Sequence, residues 1–239
     1  MRPLVAALIA FQFCAVNENE STGGTTGQFK SKKYGNVIRN FLPTEYRWPN
    51  ATVYYHFEGS FSQEQKRAIK QAMNIISSVS CVQFLVKSEN QSDYVEITSE
   101  SSGCWSDTGH KSHKTQLNFG PECFSLGTIL HELMHTLGFL HQHTRPDRDL
   151  YIDVLYENVL PRPEFLFNYE IIHPWNKFLF PLPYDFESIM HYTVDMYSRD
   201  PGRLPTMVPK SPLTTTVTLG QRNKLSEFDV LSINFLYCV

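Results

Sequence analysis

The spacing of hydrophobic positions changes several times along this chain, and each change marks an element. Thr52 to Phe57 alternates aromatic and β-branched residues with period two and predicts a strand. Ile69, Ala72, Met73 and Ile76 then recur at helical spacing, and Ser62 with Gln65 three residues later makes a capping box that opens the helix. Val82 to Val86 and Tyr94 to Thr98 read as further strands, and Thr115 to Phe119 as a short one. A second helix is expected from His131 through Leu137, so the N-terminal half reads as a sheet backed by helices. Beyond His141 regular spacing is lost until Val230, Ile233, Leu236 and Tyr237 restore it, which predicts a mostly irregular second lobe closed by a terminal helix. The expected fold class is α+β, without internal repeats.

The N-terminal stretch carries a different pattern. Arg2 precedes an almost wholly apolar run, Leu4 to Phe13, and a small residue, Ala15, which is the make-up of a signal peptide over residues 1–15; the run is too short to span a bilayer as a helix. Residues 16–39 are polar, with Gly23-Gly24-Thr25-Thr26-Gly27 in the middle and Lys30, Lys32, Lys33 and Arg39 toward the end, and read as a flexible segment. Residues 40–239 are left as one globular unit, expected as lobes 40–138 and 139–239. A chain of 239 residues, 41% hydrophobic, can bury a core of that size. Its net charge of -3, with 21 scattered basic residues, makes no electrostatic case for nucleic acid or an anionic membrane. A soluble secreted protein is expected, with partners to be argued from its site.

That site centres on His131 to His141, which reads HELMHTLGFLH. On a helix His131 and His135 stack one turn apart and both imidazoles reach one metal ion, while Glu132 stands beside the metal, placed to take a proton from a water on it. Gly138 tolerates the left-handed conformation that ends a helix in a sharp turn, which lets His141 swing back as the third ligand. Three neutral imidazoles and one water make an open, catalytic zinc site. His-Glu-x-x-His alone recurs by chance on amphipathic helices, but the glycine and third histidine at their offsets make up the long metzincin pattern, and Met190 in SIMHY supplies the methionine turn it requires. His143 and His191 fall at the wrong offsets and are read as packing groups.

HELMHTLGFLHQHTRPDRD followed by SIMHY resembles the astacin family of secreted zinc metalloendopeptidases, and the resemblance covers the chain from about Arg39 onward, with gaps between Pro161 and Phe180. It implies a two-lobe metzincin fold with a twisted mixed sheet, two long helices and a cleft between the lobes. It implies one catalytic Zn2+ and hydrolysis of internal peptide bonds in extended protein or peptide substrates; a monomer is expected. By the same resemblance Glu132 is the general base and Met190 forms a floor under the imidazoles. Tyr192 is a fifth ligand at rest that turns to hydrogen-bond the oxyanion. Residues 16–39 correspond to a propeptide cleaved at Arg39-Asn40, and Thr115 to Phe119 corresponds to the edge strand that pairs with substrate. After Cys14 the chain holds Cys81, Cys104, Cys123 and Cys238, an even set whose spacing leaves three pairings open; the family pairs the matching positions as Cys81 with Cys238 and Cys104 with Cys123.

The sequence also departs from the family. Residues 16–39 contain Glu18 and Glu20 but no aspartate to occupy the zinc, so latency through an aspartate is not expected. Gln142 stands where the family places a glutamate that pairs with the new N-terminal ammonium; an amide can hydrogen-bond that group but not neutralise it. Arg145, Asp147, Arg148 and Asp149 read as ion pairs bracing the second lobe. Arg199 and Arg203 follow the methionine turn, facing either the pocket beyond the scissile bond or, more commonly, solvent. Asn19, Asn50 and Asn90 begin glycosylation tripeptides. A silent binding protein on this fold, or a zinc hydrolase of non-peptide esters or amides, would carry the same motif.

Overall fold

Parallel strands need a long crossover between them, and the first helix supplies it. In the computed structural model, which describes residues 44–172, 182–210 and 218–238, Thr52–Phe57 (β1) leads through Gln63–Val79 (α1) to Gln83–Val86 (β2), which lies parallel beside it. Tyr94–Thr98 (β3) pairs with the other side of β1. Cys104–Ser106 (β4) and Lys114–Phe119 (β5) complete a mixed sheet in the order β2-β1-β3-β5-β4, with only β4 antiparallel. The leader, the polar segment, its cleavage point and the Asn19 tripeptide lie outside the described residues.

The capping box at Ser62 forms as expected: its hydroxyl accepts from Gln65 N and the Gln65 side chain accepts from Ser62 N. It starts α1 at the turn that puts Ile69, Ala72, Met73 and Ile76 inward, where they meet Val53, Tyr55, Val95, Ile97 and Leu117 from the sheet. The second helix, Leu126–Thr136 (α2), is buried at every residue from Ile129 to Thr136. A helix with that burial belongs inside the protein and not on its surface.

Thr115 to Phe119 is not an edge. β5 lies between β3 and β4, and Thr115, Leu117, Asn118 and Phe119 are all buried there. The edge is β4, whose three residues are too few to show a period in sequence. Asn118 fastens the chain leading into it, donating to Ser101 O and Gly103 O at 2.9 Å while accepting from the Thr98 hydroxyl.

A second apolar cluster gathers Ile152, Val159, Phe165, Tyr169, Tyr184, Tyr192, Met207 and Leu219. It surrounds Ile152–Val154 (β6), Pro163–Phe167 (α3) and Met207–Pro209 (β7), with β6 and β7 antiparallel. The terminal helix, Glu227–Tyr237 (α4), does not pack into this cluster: its Ile233 and Leu236, like Ile189 and Met190, join the core under the large sheet. Of the three possible cysteine pairings the structure holds Cys81 with Cys238 and Cys104 with Cys123, Cα atoms 5.5 and 5.6 Å apart. The first ties the end of α4 beside the start of β2. No described helix is long and apolar enough to cross a membrane.

Candidate active site

The site is built on the way α2 ends. Gly138 has φ +97°, Gly138 N donates to His135 O and Phe139 N to Met134 O, so the helix closes in a Schellman turn. Distant groups also meet the carbonyls of the last turn: Gly109 N is a second donor to His135 O, Trp48 Nε1 donates to Thr136 O and the Tyr237 hydroxyl to Leu137 O. The reversal carries His141 back toward the helix. His131, His135 and His141 are buried and form the one cluster of potential metal ligands among the described residues.

Their hydrogen bonds define which nitrogens face one another. His131 Nδ1 lies 2.7 Å from Ile189 O and His135 Nδ1 2.8 Å from Phe139 O. Carbonyls only accept, so both Nδ1 atoms carry the proton and both Nε2 atoms present lone pairs. Those lone pairs converge on His141 Nε2, at 3.3 and 3.1 Å. Burial and the neighbouring cationic charge hold all three rings well below the usual histidine range, His135 at about 4, so protons do not relieve the repulsion near neutral pH. A small cation does: nitrogens about 2.0–2.1 Å from a tetrahedral zinc stand roughly 3.3 Å from each other. The residues fit a zinc ion.

Glu132 is buried beside the histidines, and its Oε2 has no hydrogen-bond partner. Burial pushes its carboxyl up to about 8, against the pull of the Arg222 guanidinium. A divalent ion on the imidazoles would pull it back toward the anion. Met190 is buried in the same core, and Met190 O accepts from Gln142 N at 2.9 Å, fixing the turn to the segment that bears His141. Gln142 itself is buried; the N-terminal ammonium expected to meet it lies outside the described residues. Tyr192 is buried with its ring 4.5 Å from His141 and 4.0 Å from His143, and its hydroxyl makes no hydrogen bond of good geometry.

His143 and His191 are packing groups in this structure. His143 Nε2 meets Asn168 O at 2.9 Å, and His191 lies between the Tyr184 hydroxyl and Tyr192 O, each at 2.8 Å. The ion pairs expected among Arg145, Asp147, Arg148 and Asp149 form as well: Arg145 grips Asp147 with two bonds, and Arg148 meets Asp149 while donating to His143 O and Tyr169 O. Arg199 and Arg203 are exposed, Arg199 bonding Val159 O and Arg203 standing 3.7 Å from Asp200.

Sequence reasoning assigns no role to Arg222 or Tyr197. Arg222 Nη1 donates to His191 O, and the Arg222 backbone presses so close on α2 that a Cβ at Gly127 would fall 1.8 Å from its carbonyl oxygen. Tyr197 stands beside Tyr192 with rings 6.0 Å apart. Neither belongs to a local motif, so only the folded contacts reveal them.

Fold and site together define a three-histidine metalloprotein of α+β type, with a buried carboxylate next to its metal ligands. The chain belongs to the astacin family: the family described as Astacin, a family of peptidases, matches residues 41–238. It is 32% identical over 235 residues to zinc metalloproteinase nas-39 of Caenorhabditis elegans, spanning 96% of this chain and 25% of that protein. It is 36% identical over 201 residues to astacin-like metalloprotease toxin 2 of Loxosceles intermedia, spanning 83% of this chain and 77% of the toxin. Among solved structures it superposes on high choriolytic enzyme 1, a hatching enzyme zinc-protease from Oryzias latipes, with TM-score 0.72 and 32% identity, covering 83% of this chain and 94% of that one. Several of the curated relatives are much longer, and the chain spans between 25% and 37% of the length of three of them, nas-39 included.

Proposed function

We propose that this chain is a secreted zinc-dependent endopeptidase that hydrolyses internal peptide bonds of extended protein or peptide substrates. The observation that carries the reading is the convergence of three imidazole nitrogens beside a buried carboxylate oxygen with no partner of its own. His131, His135 and His141 would hold the zinc, which when bound supplies Lewis acidity toward a water and the scissile carbonyl. Glu132 Oε2 takes the proton of the attacking water and returns it to the leaving amine. The Tyr192 hydroxyl donates to the oxyanion, and at rest would help to hold the zinc. Met190 floors the site. The open side of β4 is the edge along which an extended substrate pairs through its main chain, in place of β5.

Residues 1–15 are a leader lost on secretion, 16–39 a short prosegment that does not gate the site through an aspartate, and 40–239 a monomeric catalytic unit of lobes 40–138 and 139–239. The exposed Asn50 and Asn90 accept glycans. The test is cleavage of a quenched peptide library by the full chain and by protein beginning at Asn40, with and without a zinc chelator, beside Glu132→Gln. Expected is chelator-sensitive cleavage, lost by a factor of about a hundred or more in Glu132→Gln while zinc content and melting temperature are kept. A variant that binds zinc and still cleaves would remove Glu132 from the mechanism. A zinc-bound wild type inert on every peptide would turn the reading to a binding protein.

A further inference from the structure

Tyr197 has φ 54°, a left-handed conformation that a bulky aromatic residue adopts only when its surroundings impose it. They do so from several sides. Leu160 N donates to Tyr197 O at 2.9 Å, Ser198 bridges to Val159 and donates its hydroxyl to Leu204 O, and the Tyr197 ring lies flat on Phe165, centroids 4.6 Å apart at 15°. The enforced backbone delivers the ring to the site, edge-on to Tyr192 at 74° with centroids 6.0 Å apart. Strain at one residue here fixes the place of one phenol.

The neighbour it reaches needs a partner. The Tyr192 hydroxyl is buried and makes no hydrogen bond of good geometry. Among the rings around it, Tyr169 commits its own hydroxyl to Met196 O and Thr206 Oγ1, and His143 meets Tyr192 ring against ring. Tyr197 is the other phenol beside it, its ring edge-on to Tyr192 with centroids 6.0 Å apart.

We propose that Tyr197 is a positioning residue for Tyr192, its hydroxyl holding the Tyr192 hydroxyl toward the reacting groups. At rest the Tyr192 hydroxyl donates its hydrogen bond to Tyr197, which would leave its oxygen lone pair for the zinc. When an oxyanion forms, Tyr192 donates to it and Tyr197 donates to the Tyr192 oxygen, so the two phenols make a short chain whose bonds strengthen each other. The inference rests on the endopeptidase reading and deepens it.

Tyr197→Phe removes the hydroxyl and keeps both ring contacts and the backbone conformation, so melting temperature and zinc content should match the wild type. Expected is a fall in kcat of about tenfold with KM within about twofold, and a double variant with Tyr192→Phe no slower than Tyr192→Phe alone, because the outer hydroxyl acts only through the inner one. A second readout needs no turnover: by calorimetry a phosphinic peptide, which presents a tetrahedral anion, should bind the zinc-loaded variant about tenfold more weakly, while a hydroxamate peptide of the same sequence binds as before. Wild-type kcat and wild-type phosphinate affinity in Tyr197→Phe, or a double variant slower by a further tenfold, would overturn the proposal. A wild type without chelator-sensitive cleavage would bring down the endopeptidase reading and this inference with it, whereas an active wild type beside an unaffected Tyr197→Phe brings down the inference alone.

Discussion

Gly127 and Gly138 stand at opposite ends of α2 and resist substitution for different reasons. At Gly138 the obstacle is conformation: φ is +97°, yet an added Cβ would meet nothing closer than Gly109 Cα at 3.7 Å. At Gly127 the obstacle is space, since a Cβ would lie 1.8 Å from the Arg222 carbonyl oxygen and 2.2 Å from its carbon, neither of which belongs to a side chain that can move aside. Gly138→Ala should therefore cost about 1–2 kcal/mol, the ordinary penalty of a left-handed residue. Gly127→Ala should cost about 3 kcal/mol or more and loosen Arg222 from His191 O. Urea unfolding of the two variants checks the order, and a reversal would mean that the backbone at Arg222 yields more easily than its close contact with α2 implies. Gly138 is legible in sequence because its job is local and its offset from His135 is fixed. Gly127 is not, because the atom it makes room for comes from residue 222. The same division separates the histidines and Glu132, which one helix and one turn bring together, from Arg222 and Tyr197, which only tertiary contacts bring to the site.

The elements show how a helix terminus can brace a metal site it does not touch. Both α1 and α4 begin with capping boxes, Ser62 with Gln65 and Ser226 with Asp229. The first is legible in sequence because its apolar stripe follows at once. The second does more than start a helix: Asp229 accepts from Ser226 N, from Ile189 N at 2.8 Å and from the Ser188 hydroxyl at 2.7 Å. The peptide of Ile189 thus receives Asp229 on its N–H side, while its carbonyl takes His131 Nδ1. Removing the carboxylate frees the methionine turn and leaves several buried donors unpaired. Asp229→Ala should lower zinc affinity by about 10–100-fold, as loss of such supporting bonds does elsewhere, and should destabilise the fold by about 3 kcal/mol or more. Competition against a zinc indicator reads the first effect and urea unfolding the second; a stable variant with wild-type zinc affinity would show that the turn holds itself. The edge strand β4 is the opposite case, an element too short to register as a pattern, found only through its pairing with β5.

At the scale of the whole molecule, chain order and packing order disagree. The methionine turn lies within the stretch of chain that forms the second cluster and α4 follows that stretch, yet Ile189, Met190 and α4 pack with the first, and the Cys81–Cys238 bond fastens the end of α4 to the sheet. Closing a loop of 157 residues contributes about 5 kcal/mol on the chain-entropy account. Where the chain crosses between the clusters it buries a carboxylate, Asp185, which accepts from the Ser226 hydroxyl and from Glu187 N and lies near Asp229. Burial pushes the Asp185 carboxyl up to about 6, with Asp229 adding to the rise and the two donors opposing it. Its value in the unfolded chain is about 3.9. Below about pH 4 both states hold the proton and the group is neutral in its effect. Between about pH 4 and 6 the unfolded chain releases its proton while the folded one keeps it, so stability falls as pH rises, by about 2–3 kcal/mol in all, and then levels off. Asp229, raised by its own burial, acts in the same direction. Asp185→Asn keeps an acceptor for Ser226 without a charge to bury. The melting temperature of the variant should therefore rise relative to the wild type as pH goes from 4.5 to 7, because only the wild type comes to bury an anion there; two curves running parallel across that window would show that Asp185 carries its charge in the folded protein as easily as in water.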